Sequence, residues 1–167
     1  MRKIKEFAKL SNLLKKPIFT AADAKKTGVQ SALLNYYVNK GQLTRIARGI
    51  YRDPNSEIQT DFRWEDLILT AKSIPNGVIC LTSALALYDL TEEIPRTHWI
   101  AVPNSTTAPK RECTKIVRMR DVETGKTQMI VGKEKVQIFD RERTIVDAFK
   151  NLSKETAIKA LKEAFKG

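Results

Sequence analysis

The sequence is poor in the residues that build metal and redox centres: one histidine, His98, and two cysteines, Cys80 and Cys113, in 167 residues. A lone imidazole excludes a His-rich metal site, and it reads as a packed or surface ring. The two thiols lie far apart, with no short-spacing partner, and read as reduced, buried side chains. No metal and no cofactor are expected. Long apolar runs are missing too. Nothing approaches the ~20 apolar residues of a membrane span, and the opening MRKIKEFAKLSNLL is interrupted by charge every two or three positions, unlike a signal peptide. The expected location is the cytoplasm. A chain of this length can bury about 68–70% of its unfolded surface without staples.

Catalytic signatures are also lacking. Gly125-Lys126-Thr127 ends like a phosphate-binding loop, but the earlier glycine that such a loop needs falls at Arg120, so the segment reads as part of a hairpin turn over Glu123–Lys126. Ser83 has no glycine-flanked elbow to expose it and reads as a helix cap. The densest charged cluster, Asp140-Arg-Glu142-Arg143-Thr-Ile-Val-Asp147, suggests an acid pair around a divalent ion. A simpler account makes Asp140 the cap of a helix and Arg143–Asp147 a same-face ion pair four residues apart. No catalytic residue is assigned, and the protein is not expected to be an enzyme.

Acid is scarce at one end only. Residues 1–56 hold twelve Lys/Arg against three acids, an excess of nine, whereas residues 57–167 hold eighteen against sixteen, an excess of two. A module that faces a polyanion, joined to one that does not, has this asymmetry. The basic third also has a legible pattern. Ile4, Phe7, Ala8, Leu13 and Leu14 form one stripe of a first helix stopped by Pro17. Thr20-Ala-Ala-Asp23 is a helix start in which hydroxyl and acid are three apart. A short helix over 20–27, a turn at Gly28-Val29 and a third helix over 30–40 ended by Gly41 complete a helix-turn-helix. Leu43–Ala47 and Ile50–Arg52, joined by Arg48-Gly49, add a β-hairpin, and the sum is a winged helix.

On the third helix Asn35, Tyr36 and Asn39 point away from the apolar side and are the candidates for base edges, since carboxamides can pair with adenine. Gln30, Ser31, Lys40, Arg45, Arg48 and Arg52 are assigned to the DNA backbone, with Arg48 at the wing tip. The expected partner is double-stranded DNA. The alternative, RNA or an acidic protein, is disfavoured because only Tyr36 is expected to expose an aromatic ring among these cations.

Beyond a polar linker at 53–61, a helix over 62–74, a short strand at 78–81, a helix at 82–90 with Leu85, Leu87 and Tyr88 packing, strands at 99–102, 115–119, 128–131 and 135–139, and helices at 140–151 and 153–165 are expected. The fold class is α+β: an N-terminal winged helix-turn-helix, residues 1–56, followed by a mixed α/β domain with mainly antiparallel strands, residues 57–167.

Four phrases, "NKGQLTRIARGIYR", "GVICLTSALALYDL", "HWIAVP" and "FDRERTIVDAFKN", together with the opening helix-turn-helix, resemble in order the AbiEi antitoxin family, the antitoxins and transcriptional regulators of bacterial type IV toxin-antitoxin (abortive-infection) systems. The resemblance implies a winged helix that represses its own promoter at inverted repeats and a C-terminal domain needed for antitoxicity. It also implies a cognate nucleotidyltransferase-like toxin, met functionally and not in a stable complex, and a monomer or weak dimer. This chain ends soon after the last phrase, where longer members carry further helices, so a solitary regulator is the alternative.

Overall fold

The computed structural model describes residues 2–16, 18–56 and 62–167. Pro17 and residues 57–61 of the expected linker lie outside them. The chain divides into two compact units, Met1–Glu65 with Gly132–Glu134, and Asp66–Val131 with Lys135–Gly167.

The first unit contains α1 (Arg2–Ala8), α2 (Ser11–Leu14), β1 (Phe19–Thr20), α3 (Ala21–Lys26), α4 (Ser31–Asn39), β2 (Thr44–Ala47) and β3 (Ile50–Arg52). One first helix was expected and two are found. At the break the amides of Lys9 and Leu10 reach back only three residues, to the carbonyls of Glu6 and Phe7 at 3.2 and 2.9 Å. This tighter turn swings Leu10 into the core, where it is fully buried. The start of α3 is as expected. Thr20 Oγ1 accepts from the Asp23 amide at 3.1 Å, and the Thr20 amide donates to Asp23 Oδ2 at 2.9 Å, a reciprocal box that satisfies donors at the helix end. Gly28 (φ 89°) ends α3 and Gly41 (φ 72°) ends α4. In both turns the glycine amide and the next one bond to carbonyls of the last helical turn, Gly28 to Lys25, Val29 to Ala24, Gly41 to Val38 and Gln42 to Tyr37. That pattern requires the left-handed conformation glycine adopts without strain.

The core under α4 is built from Leu10, Leu13, Phe19, Ala24, Val29, Leu34, Tyr37, Leu43 and Tyr51. Phe19 stacks on Tyr51 at 5.9 Å, and Phe7 meets Tyr37 edge-on at 4.9 Å. The sheet runs β1-β3-β2, all antiparallel, so the wing hairpin is tied to the strand that leads into α3.

The remaining elements are α5 (Phe62–Ser73), β4 (Val78–Ile79), α6 (Leu81–Leu87), β5 (His98–Pro103), β6 (Thr114–Met119), β7 (Lys126–Val131), β8 (Glu134–Phe139), α7 (Arg141–Asn151) and α8 (Lys154–Lys166). The α+β class and the winged-helix start are as expected. The second sheet has the order β6-β5-β4-β8-β7 and mixes directions: β4 pairs β5 antiparallel, while β5–β6 and β4–β8 are parallel.

That order corrects the hairpin expected at Glu123–Lys126. Strands β6 and β7 stand on opposite edges of the sheet, so the segment between them is a crossing. Its anchor is Arg143 of α7, whose guanidinium donates to the carbonyls of Thr124 at 2.8 Å and Asp121 at 3.0 Å and pairs with Asp147 at 2.9 Å. The expected cap and ion pair are both present, since Asp140 Oδ1 accepts from the Arg143 amide at 2.7 Å.

Two smaller expectations are corrected. Ser83 does not cap a helix: α6 begins at Leu81, which places Ser83 inside it and 1% exposed. Its hydroxyl accepts from the Trp99 amide at 2.9 Å and staples α6 to β5. Cys80 is buried as expected, but Cys113 is exposed, at a turn position with φ 51° just before β6. There its carbonyl accepts from the His98 amide at 2.6 Å while the side chain faces solvent.

Candidate nucleic-acid interface

Between Asp23 and Asp53 the chain carries six Lys/Arg and no acid. These 29 residues, 24–52, contain the end of α3, the turn, α4 and the wing. The helix period sorts α4 into two sides. Leu34 and Tyr37 are buried, Leu33 and Val38 half-buried, and Ser31, Ala32, Asn35 and Asn39 exposed. Ser31, Asn35 and Asn39 lie four residues apart, so they form one polar row along the outer face. Gln30 precedes the row as the N-cap, exposed and without a side-chain cap bond, leaving its carboxamide outside the helix-end bonding.

Lys40 is exposed at the end of α4 and Arg45 on β2, opposite Tyr51. Arg48 is exposed at the tip of the wing, where Gly49 (φ 76°) supplies the left-handed turn residue. Hairpin register is Thr44 with Arg52, Arg45 with Tyr51 and Ala47 with Ile50, so Ile46 is the extra residue of a bulge next to the tip. Arg52 is half-buried with its Nε enclosed, which leaves it less accessible than Arg45 or Arg48.

Tyr36 is placed differently from the other candidates. Its ring is half-buried, meets Tyr37 at 5.6 Å and lies under the Lys3 ammonium, 4.0 Å from the ring centroid. It therefore belongs with α1 more than with the open polar row. Lys3 was not singled out in the sequence. The signal that finds it is spatial, a cation on α1 meeting an aromatic of α4.

In the second unit the charged cluster of α7 has the structural bonding described above. No group of three or more His, Cys, Asp or Glu among the described residues is arranged to hold a metal ion. Burial lowers the pKa of His98, which disfavours its charged form. No helix among the described residues is long and apolar enough to cross a membrane.

Residues 9–52 are similar to a family described as transcriptional regulator, AbiEi antitoxin. The matched segment runs from the end of α1 to the end of the wing and supports the family resemblance over the helix-turn-helix and the first of the four phrases. No curated protein matches the chain.

Proposed function

We propose that this chain, whose residues 9–52 carry the AbiEi antitoxin regulator module, is a DNA-binding repressor that acts through its winged helix on inverted repeats of its own promoter. The observation that carries the proposal is the acid-free segment 24–52, in which the Ser31/Asn35/Asn39 row of α4 and the wing cations Arg45 and Arg48 are all exposed. Carboxamides at the spacing of one helix face suit base edges in a major groove, and flanking cations suit phosphates. Gln30, Ser31, Lys40, Arg45, Arg48 and Arg52 meet the backbone in this reading; Asn35 and Asn39 meet bases. The DNA-binding domain is 1–56. The domain at 57–167 carries the antitoxin role toward a nucleotidyltransferase-like toxin, without a stable complex, in a cytoplasmic protein that is a monomer or weak dimer.

Duplex DNA is favoured over RNA by Tyr36. Single-strand recognition uses open aromatic faces on which bases stack, and this ring is already covered by Lys3. The test is promoter binding measured over a range of salt. A winged helix neutralising about 4–6 phosphates gives a log–log slope of about −4 to −5 per protomer. Arg48→Glu weakens operator and random duplex alike, whereas Asn35→Ala costs roughly 1–3 kcal/mol on the operator alone. A slope near zero rejects DNA binding; equal losses on both duplexes for both variants reject the division of roles.

A further inference from the structure

Helices α1 and α4 enclose a cleft of about 270 Å³, lined mainly by Lys3, Phe7, Tyr36, Tyr37, Lys40 and Gln42. None of its lining residues is acidic. Two ammonium groups converge on one ring there: Lys3 Nζ lies 4.0 Å and Lys40 Nζ 5.9 Å from the Tyr36 centroid. The arrangement is held from below. The Tyr37 hydroxyl donates to the Lys3 carbonyl at 2.8 Å, Phe7 packs edge-on against Tyr37, and Tyr36 meets Tyr37 at 70°. Lys3 is thus fixed at its backbone by one tyrosine and at its ammonium by the next.

The nearest acid on α1, Glu6, is held by Lys9 at 2.8 Å. Each ammonium gains a cation–π attraction of modest size at an exposed site, but the two repel each other, and a shared anion relieves that repulsion. Lysine meets phosphate as a point charge without demanding a fixed approach. Lys40 and Gln42 line the cleft where α4 hands over to the wing.

We propose that Lys3 and Lys40, set against the Tyr36 ring, grip one phosphate of the DNA backbone, so that α1 takes part in DNA binding from outside the helix-turn-helix. The inference rests on the duplex-binding reading above and replaces the base-edge role that the sequence suggested for Tyr36. Tyr36 is a positioning residue for two lysines and does not read base edges.

The experiment measures binding of the full chain to promoter duplex and to random duplex between roughly 0.05 and 0.3 M salt, over which log affinity falls linearly with log salt. One lost phosphate contact removes about 0.9 from the magnitude of the slope, which at 0.1 M salt is about an eightfold weaker association. Lys3→Gln/Lys40→Gln is expected to show that loss on both duplexes equally. Lys3→Arg keeps the charge and the slope. Tyr36→Phe keeps the ring and binds as the parent does, while Tyr36→Leu weakens both duplexes by the same factor. Melting curves of each variant establish that it is folded, and the single variant Lys3→Gln serves if the double variant is not.

Two results overturn the inference while leaving DNA binding intact. One is an unchanged slope in folded Lys3→Gln/Lys40→Gln, or in folded Lys3→Gln where the single variant is used, when Arg48→Glu is weakened. The other is a selective loss of operator preference in Tyr36→Phe or Tyr36→Leu. A parent slope near zero, with Arg48→Glu unaffected, removes both the inference and the reading under it.

Discussion

Replacing Arg143 by Ala tests the main tie across the second sheet. The guanidinium pairs with Asp147, donates to two carbonyls of the crossing segment and lies 4.5 Å from the Phe139 ring centroid. The Asp147 side chain is 5% exposed and that of Arg143 18%. Truncation strands a carboxylate with almost no access to water, and breaking such a pair typically costs 3–5 kcal/mol. The Thr124 and Asp121 carbonyls are near solvent and regain water, so they add little. The loss expected is therefore about 3 kcal/mol, at the lower end because the arginine is partly hydrated. For a chain of this size that lowers the melting temperature by about 6–12 °C.

The assay is urea and thermal unfolding followed by tryptophan fluorescence, with Trp99 packed beside the core that contains Phe139. Arg143→Met with Asp147→Leu should recover most of the loss, because an apolar pair of similar volume is often neutral or better in such a place. A loss below about 1 kcal/mol for Arg143→Ala, the size of a surface pair, refutes the reasoning, as does a double variant no more stable than the single one.

Thr20→Ala removes the capping box of α3 and should cost about 1 kcal/mol in denaturant unfolding. Burial raises the Asp23 pKa, but Thr20 hydrogen bonds together with Lys16 and Lys26 outweigh it and leave it lowered. Its stabilising effect is thus full above the unfolded carboxylate pKa and lost as pH falls through the lower folded value, so acid unfolding of the parent should show a dependence below about pH 4 that Asp23→Asn lacks. Gly125→Ala should destabilise more than Gly49→Ala. Both glycines have positive φ, but an added Cβ at 125 lies 2.8 Å from the Arg143 Cβ, while none is obstructed at 49; equal melting temperatures contradict this. Cys113 should react with iodoacetamide in the native protein and Cys80 only after unfolding, because Cys80 is buried and burial pushes its thiol pKa up. Peptide mass spectrometry reads which thiol is modified.

Local chemistry made the first unit legible. Each signal there acts within a few residues: hydroxyl and acid three apart at Thr20 and Asp23, glycines that supply left-handed turns at 28, 41 and 49, and a 3.6-residue pattern that buries Leu34 and Tyr37 while leaving Ser31, Asn35 and Asn39 outside. The α7 cap and the Arg143–Asp147 pair were legible for the same reason, being three- and four-residue spacings on one helix. The break after Ala8 was not, because apolar residues at helical spacing look alike whether the helix is continuous or tightens for one turn.

From its sequence alone this protein had its basic pole, its winged helix and the polar face of α4, because net charge, capping and side-chain periodicity are properties of neighbouring residues. Tertiary structure alone decided the strand order, which puts β6 and β7 on opposite edges, and the placement of Tyr36 beneath Lys3. Both depend on which distant segments meet, and a pairing between residues 33 positions apart is chosen by packing of the whole core, not by any preference the two residues carry themselves.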